Sequence, residues 1–173
     1  MPDTGRAARE AEFTDFARAR MPHLYRTAWL LCGDRQRAED LVQETLTKVY
    51  GRWGPSIKNP AAYAQTTLTR TWISQQRRRS NHERPVDQVP ERPQPNSDPT
   101  LRLTLIAALD RLEPLDRAVV VLRYLDDSST NEVARHLGVS NQAVRNRLSR
   151  ALRRLRDQLD LPFSELITEG AIQ

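Results

Sequence analysis

Ser129-Thr130-Asn131-Glu132-Val133-Ala134-Arg135-His136-Leu137-Gly138-Val139-Ser140-Asn141-Gln142-Ala143-Val144-Arg145-Asn146-Arg147-Leu148-Ser149-Arg150 is the stretch that decides the fold. A hydroxyl at Ser129 followed three residues later by Glu132 fits a capping box and starts a short helix. Val133, Ala134 and Leu137 face inward on it. Gly138 closes it, because glycine takes the left-handed conformation without a Cβ clash. Ser140 caps a new helix, and Val139 and Val144 are placed to form a hydrophobic staple across that cap. The second helix buries Val144, Leu148, Ala151, Leu152, Leu155 and Leu159. A short helix, a glycine turn and a longer helix form the helix-turn-helix pattern.

The other face of that second helix carries the chemistry. Between Arg135 and Arg156 there are seven arginines and no acidic residue. An ordinary solvated face mixes both signs; a face of single sign over about 20 residues suits a polyanion. Gln142, Arg145, Asn146, Ser149 and Arg150 lie toward the start of the helix. There a recognition helix reads base edges while arginines further along hold phosphates.

Working outward, Pro114 opens a helix with Ala118, Val119, Leu122 and Leu125, and Leu101, Leu105, Ala108, Leu109 and Leu112 form a stripe before it. Five prolines fall between Asn81 and Pro99 in a polar stretch without aromatic residues, which reads as an extended linker. It separates an N-terminal half from a C-terminal half, each near the lower size limit for independent folding. In the N-terminal half, Phe13, Phe16, Leu24, Tyr25, Ala28 and Leu31 mark a first helix that Pro22 should bend or restart and Gly33 should end. Asp34 caps a second helix running to Tyr50. A loop from Gly51 to Asn59 follows, and Asn59-Pro60 opens a third helix that ends in Arg77-Arg78-Arg79. Beta signals are weak throughout, so the fold class is all-α, in two small helical domains.

Composition narrows the function. The chain has 173 residues, 27 Lys+Arg against 22 Asp+Glu and a net charge of +5, with 38% hydrophobic residues. Of the basic residues only Lys48 and Lys58 are lysines. No apolar run is long enough to span a bilayer, and the N-terminus lacks an apolar stretch behind its charge. One cysteine, Cys32, excludes an internal disulfide and a Cys-rich zinc site and is expected to pack as a small apolar residue. His23, His82 and His136 are too scattered for a metal site, and no phosphate loop or nucleophile triad is present, so no enzymatic chemistry or cofactor is expected. The expectation is a soluble cytoplasmic protein.

Ala38-Glu39-Asp40-Leu41-Val42-Gln43-Glu44-Thr45-Leu46 resembles the core-binding helix of bacterial sigma factors of the extracytoplasmic function (ECF) group in the sigma-70 family. Asn59-Pro60-Ala61-Ala62-Tyr63, with the basic end of the same helix, resembles the promoter-melting part of that domain. Thr130 to Leu155 resembles the domain that reads the −35 element. The arginine-rich composition looks like that of actinobacterial members. The likeness covers about residues 10–80 and 100–157.

The resemblance implies a region 2 domain at 10–80 and a region 4 domain at 101–157, on either side of the linker at 81–100; the short acidic and apolar tail at 158–173 is expected to form a packing helix. The resemblance implies binding to core RNA polymerase, on the beta-prime clamp helices and beta flap, and to promoter DNA, and in many members to an anti-sigma protein. Asp40, Gln43, Glu44 and Lys48 are the positions carried over for the core contact. Without the resemblance they would be an ordinary solvated face. For the −10 element the candidates are Trp53, Asn59, Tyr63, Arg70, Gln75, Arg77 and Arg78, flipped bases needing a pocket and the single strand a basic, partly aromatic track. Core packing is the competing reading for Tyr63, Trp72 and Trp53. The family often carries Asn where this chain has Arg70, and the run Thr66, Thr67, Thr69, Thr71 has no evident reason in the sequence. The rival function is a stand-alone helix-turn-helix repressor or activator. A nucleic-acid-processing enzyme would need carboxylates near the basic helices, and an adaptor without DNA contact would not need the arginine face.

Overall fold

The computed structural model describes residues 4–81 and 99–159. The linker expected at 81–100 and the tail expected as a packing helix thus lie almost wholly outside the described residues. Helix α1 (Thr4–Cys32), α2 (Arg35–Gly51) and α3 (Pro60–Ser80) build the first half. Helices α4 (Pro99–Asp110), α5 (Pro114–Val120), α6 (Thr130–Leu137) and α7 (Asn141–Gln158) build the second. The described residues contain no strand.

Local chemistry sets the helix ends. Asp34 accepts from the Arg37 amide at 2.7 Å and starts α2. Asn59 accepts from the Ala62 amide at 3.0 Å, with Pro60 in the first turn of α3. Gly33 ends α1 and Gly138 ends α6, both at φ +69°, where a side chain is disfavoured. The Ser129–Glu132 capping box forms in both directions, at 3.2 and 2.8 Å. Ser140 accepts from Ala143 at 3.1 Å and starts α7.

Two local expectations need correction. Pro22 does not restart the first helix: α1 runs through it as one element. A Pro removes one hydrogen bond, and here the buried face of Leu24, Ala28, Leu30 and Leu31 holds the rest together. The helix begun at Pro114 does not stay α to Leu125. It widens into a π-turn (Val121–Leu125), closed by the Asp126 amide donating to Val121 O at 3.0 Å.

The two halves are packed on one another. One apolar cluster contains Leu24, Leu31, Leu41, Leu68 and Trp72 from the first half, and Leu105, Leu109, Val120 and Leu155 from the second. A smaller cluster, Val119, Leu122, Val133, Ala134 and Val144, with Val139 against it, lies inside the helix-turn-helix unit. Polar contacts seal the junction. Arg117, 4% exposed, donates to Leu30 O from Nε at 3.0 Å and from Nη2 at 2.8 Å. Arg26 donates to Leu125 O at 3.2 Å, and His23 lies against Asp126. α3 meets α6 directly.

Candidate nucleic-acid and polymerase interfaces

The start of α7 presents a connected polar face. Arg145 donates to Gln142 Oε1 at 3.0 Å, and Gln142 Nε2 donates to Asn146 Oδ1 at 2.8 Å. These side chains and Ser149 are exposed, while Val144, Ala151 and Leu155 are buried on the opposite side. A helix built this way projects an ordered row of donors and acceptors outward without a core cost. Arg153, Arg154 and Arg156 continue the exposed positive face. Arg150 is different. Its fork turns back onto α5, donating to Asp116 from Nε at 2.9 Å and Nη2 at 2.8 Å.

On α2, Asp40, Gln43 and Lys48 are exposed and Glu44 is half-buried, on the side away from Leu41, Val42, Leu46 and Val49. Glu44 accepts from Lys48 at 2.7 Å and from Gln75 at 2.8 Å. Those bonds, led by the one from Lys48, hold its carboxyl below the ordinary carboxylate range. Lys48 also donates to Thr71 at 3.0 Å. Glu44 and Lys48 therefore brace α2 against α3 as well as facing outward.

The −10 candidates separate into two groups. Arg77 and Arg78 stay exposed at the end of α3, and Tyr63 is half-buried beside a cleft of about 700 Å³ that Asn59, Lys58, Arg52 and Arg135 also line. Asn59 spends its carbonyl on the helix cap, and Gln75 is tied to Glu44. Arg70, itself exposed, reaches across to the second half: Nε donates to His136 O at 3.0 Å and Nη2 to Arg135 O at 3.1 Å. Beside it, the Thr66 hydroxyl is 2.7 Å from His136 Nδ1. Burial lowers the His136 pKa from its ordinary value, so the ring is neutral at neutral pH.

Trp53 is a correction. It is 7% exposed, with its ring centroid 5.2 Å from Phe13 and 4.8 Å from Phe16. Its ring is held in the core by aromatic partners on α1 and does not offer a face to bases. Trp72, at 2% exposed, is likewise core. The threonine run now has a reason. Thr66, Thr67 and Thr69 each donate to the carbonyl four residues back, at 2.9, 2.8 and 2.9 Å. Short hydroxyls that satisfy themselves on their own helix let α3 pack tightly on both neighbours. Cys32 is buried, and burial pushes its thiol up to about 11, as befits a packing residue.

Sequence reasoning missed Asp116 and Arg117 altogether. Both are charged and both are buried, at 0% and 4% exposure. A charged pair inside an otherwise apolar helix, Leu115 to Leu122, was the available signal.

Comparison with known proteins places this geometry in a family. Residues 16–82 match the model "Sigma-70 region 2", and residues 102–155 match "Sigma-70, region 4". The chain belongs to the ECF sigma factors of the sigma-70 family. It is similar to the RNA polymerase sigma-E factor of Streptomyces coelicolor, 37% identical over 153 residues, 86% of each chain. The ECF RNA polymerase sigma factor SigE of Mycolicibacterium smegmatis is 34% identical, over 94% of this chain and 67% of that one. Among solved structures, the Bartonella quintana sigma factor RpoE, crystallised with the anti-sigma factor NepR, is similar with a TM-score of 0.70 and 25% identity. That match covers 87% of this chain and 98% of the other. In this sigma factor the region 2 match takes in most of α1 with α2 and α3, and the region 4 match takes in α5 and α6 with most of α4 and α7. Membership in the family decides against the stand-alone repressor, and no described helix is long and apolar enough to cross a membrane.

Proposed function

We propose that this sigma factor docks on core RNA polymerase through the Asp40–Gln43–Glu44–Lys48 face of α2, against the beta-prime clamp helices. Its region 4 rests on the beta flap. Gln142, Arg145, Asn146 and Ser149 read the −35 element, and Arg153, Arg154 and Arg156 further along α7 hold the flanking phosphates. The loop 51–59 and α3, with Tyr63, Arg70, Arg77 and Arg78, take the opened −10 strand. The protein performs no reaction of its own, works in the cytoplasm with the polymerase, and has an anti-sigma partner, as the Bartonella relative does.

The single observation that supports this most is the pairing of two surfaces on one chain. One is a charged, outward-facing α2 in region 2, and the other a helix-turn-helix in region 4 with seven arginines and no acidic residue from Arg135 to Arg156. A dimerising repressor would instead present an apolar seam.

The contact between α3 and α6 adds a condition. Elements centred near −35 and −10 lie about 25 base pairs apart, about 85 Å of duplex at 3.4 Å per pair. Helices in direct contact cannot reach both, so Arg70 leaves the α6 carbonyls when the promoter is bound.

The test is capture of core polymerase by the full chain, wild type against Asp40→Lys with Gln43→Lys. Wild type retains core and the double variant does not. A wild-type chain that fails to retain core, yet shifts duplex DNA as a dimer, refutes the reading.

A further inference from the structure

Asp116 sits in the first turn of α5 with no exposed surface. A carboxylate in that position is costly unless fully paired. Both of its oxygens are paired, and every partner comes from α7. Oδ1 accepts from Arg147 Nη1 at 2.9 Å and from Arg150 Nη2 at 2.8 Å, and Oδ2 accepts from Arg150 Nε at 2.9 Å. Burial alone would raise its pKa. The bonds from Arg150 and Arg147 outweigh burial and leave it below the ordinary value. The carboxylate stays ionised wherever the protein is folded near neutral pH.

The two arginines are spaced three apart and share one flank of α7. At 3.6 residues per turn that flank lies roughly a third of a turn from the Gln142–Arg145–Asn146–Ser149 face. It also lies roughly a quarter turn from the buried Val144–Ala151–Leu155 side. Apolar contacts on the buried side resist separation of the helices but resist rotation about the α7 axis only weakly. A bidentate fork resists both, because rotation breaks two short charge-assisted bonds at once. Arg147 and Arg150 are also members of the positive face whose guanidinium groups are tied to a buried carboxylate, at 27% and 45% side-chain exposure.

We propose that Asp116 is a positioning residue for −35 discrimination: through Arg147 and Arg150 it fixes the rotation of α7 that aims Gln142, Arg145 and Asn146 at base edges, and it keeps those two arginines off the phosphates. The proposal deepens the −35 reading above and rests on it. It also moves Arg150 from base reading to support of the residues that read.

Two readouts separate positioning from simple stabilisation. The first is −35 discrimination by full-length protein assembled with core polymerase, on a promoter library randomised over the −35 hexamer and sequenced after retention. The second is the salt dependence of the full chain on a 30-base-pair duplex of arbitrary sequence. Each phosphate contact contributes about 0.9 to the slope of log affinity against log salt. In Asp116→Asn, with the shape kept and the charge removed, discrimination falls toward that of Arg145→Ala. The salt slope steepens by about 0.9 to 1.8, as one or two arginines reach phosphates. A lower melting temperature with both readouts unchanged overturns the proposal.

Should Asp116→Asn fail to fold, Arg150→Gln answers the same question, since Arg147 still pairs the carboxylate. Reduced discrimination with an unchanged salt slope supports positioning. A slope shallower by about 0.9 means that Arg150 holds phosphate, and overturns it. If the wild-type holoenzyme itself shows no −35 preference, the −35 reading fails, which is a different outcome from either.

Discussion

Replacing Arg117 by Met tests how the two regions are held together. The guanidinium is buried between them and donates twice to one carbonyl, Leu30 O, near the end of α1. Hydrogen bonds from a charged donor contribute about 1.5–3 kcal/mol each. The two here share a single acceptor, so they count as little more than one strong bond. Arg117 also pairs with Asp110 at 2.8 Å, but Asp110 is 71% exposed and returns to water when its partner is removed. The pair therefore adds less than the 3–5 kcal/mol typical of breaking a fully buried one. Met keeps much of the apolar stem and removes the cost of burying a cation. The net expected loss is about 2–3 kcal/mol, all of it from the packed arrangement of regions 2 and 4. At 1.4 kcal/mol per decade that is roughly a 30- to 150-fold shift toward separated regions. The assay is a spin-label distance between Thr47→Cys on α2 and Arg154→Cys on α7. Cys32 stays unlabelled, being buried with a thiol pushed up to about 11. The wild type gives a single narrow distance, and Arg117→Met adds a broad, longer population. Asp110→Asn removes only the exposed side of the ion pair and leaves the distance as it was. If Asp110→Asn opens the molecule as much as Arg117→Met does, the carbonyl bonds are not the fastening. If neither opens it, the apolar cluster alone suffices and the argument fails.

Trp53→Ala should destabilise region 2 by about 3–5 kcal/mol, because the ring fills a core site against Phe13 and Phe16. A stable variant with selective loss of −10 opening would restore the base-stacking role. The α3–α6 contact should weaken as the medium is acidified. His136 has a folded pKa below its ordinary value, so the unfolded or separated state binds its proton more readily. Stability from its burial is complete above about pH 6.5 and is lost as pH falls through that value toward the folded one. Asp126 and Glu132 favour the charged ring, whereas Arg135 and Arg70 oppose it. The same spin-label pair, measured from pH 7.5 to 5, should show more of the long distance at the acid end, and His136→Gln should flatten that response.

The sequence by itself determined the capped helix ends and the sign of the outer faces. Ser129, Glu132, Gly138 and Ser140 are read within four residues of the bonds they make, so no knowledge of the rest of the chain is needed. The arginine-rich face of α7 and the outward α2 residues follow from helical spacing alone. Tertiary structure decided what depends on partners far along the chain. Arg117 meets Leu30 across 87 residues, Arg70 meets His136 across 66, and Arg150 meets Asp116 across 34. Nothing local distinguishes an arginine that will face water from one that will bond a carbonyl in another region. Trp53 lies in a turn-rich loop that looks exposed, and only the approach of α1 makes it core. Local interactions fix which residues can point outward. Burial and pairing, which need the whole chain in place, fix which of them do.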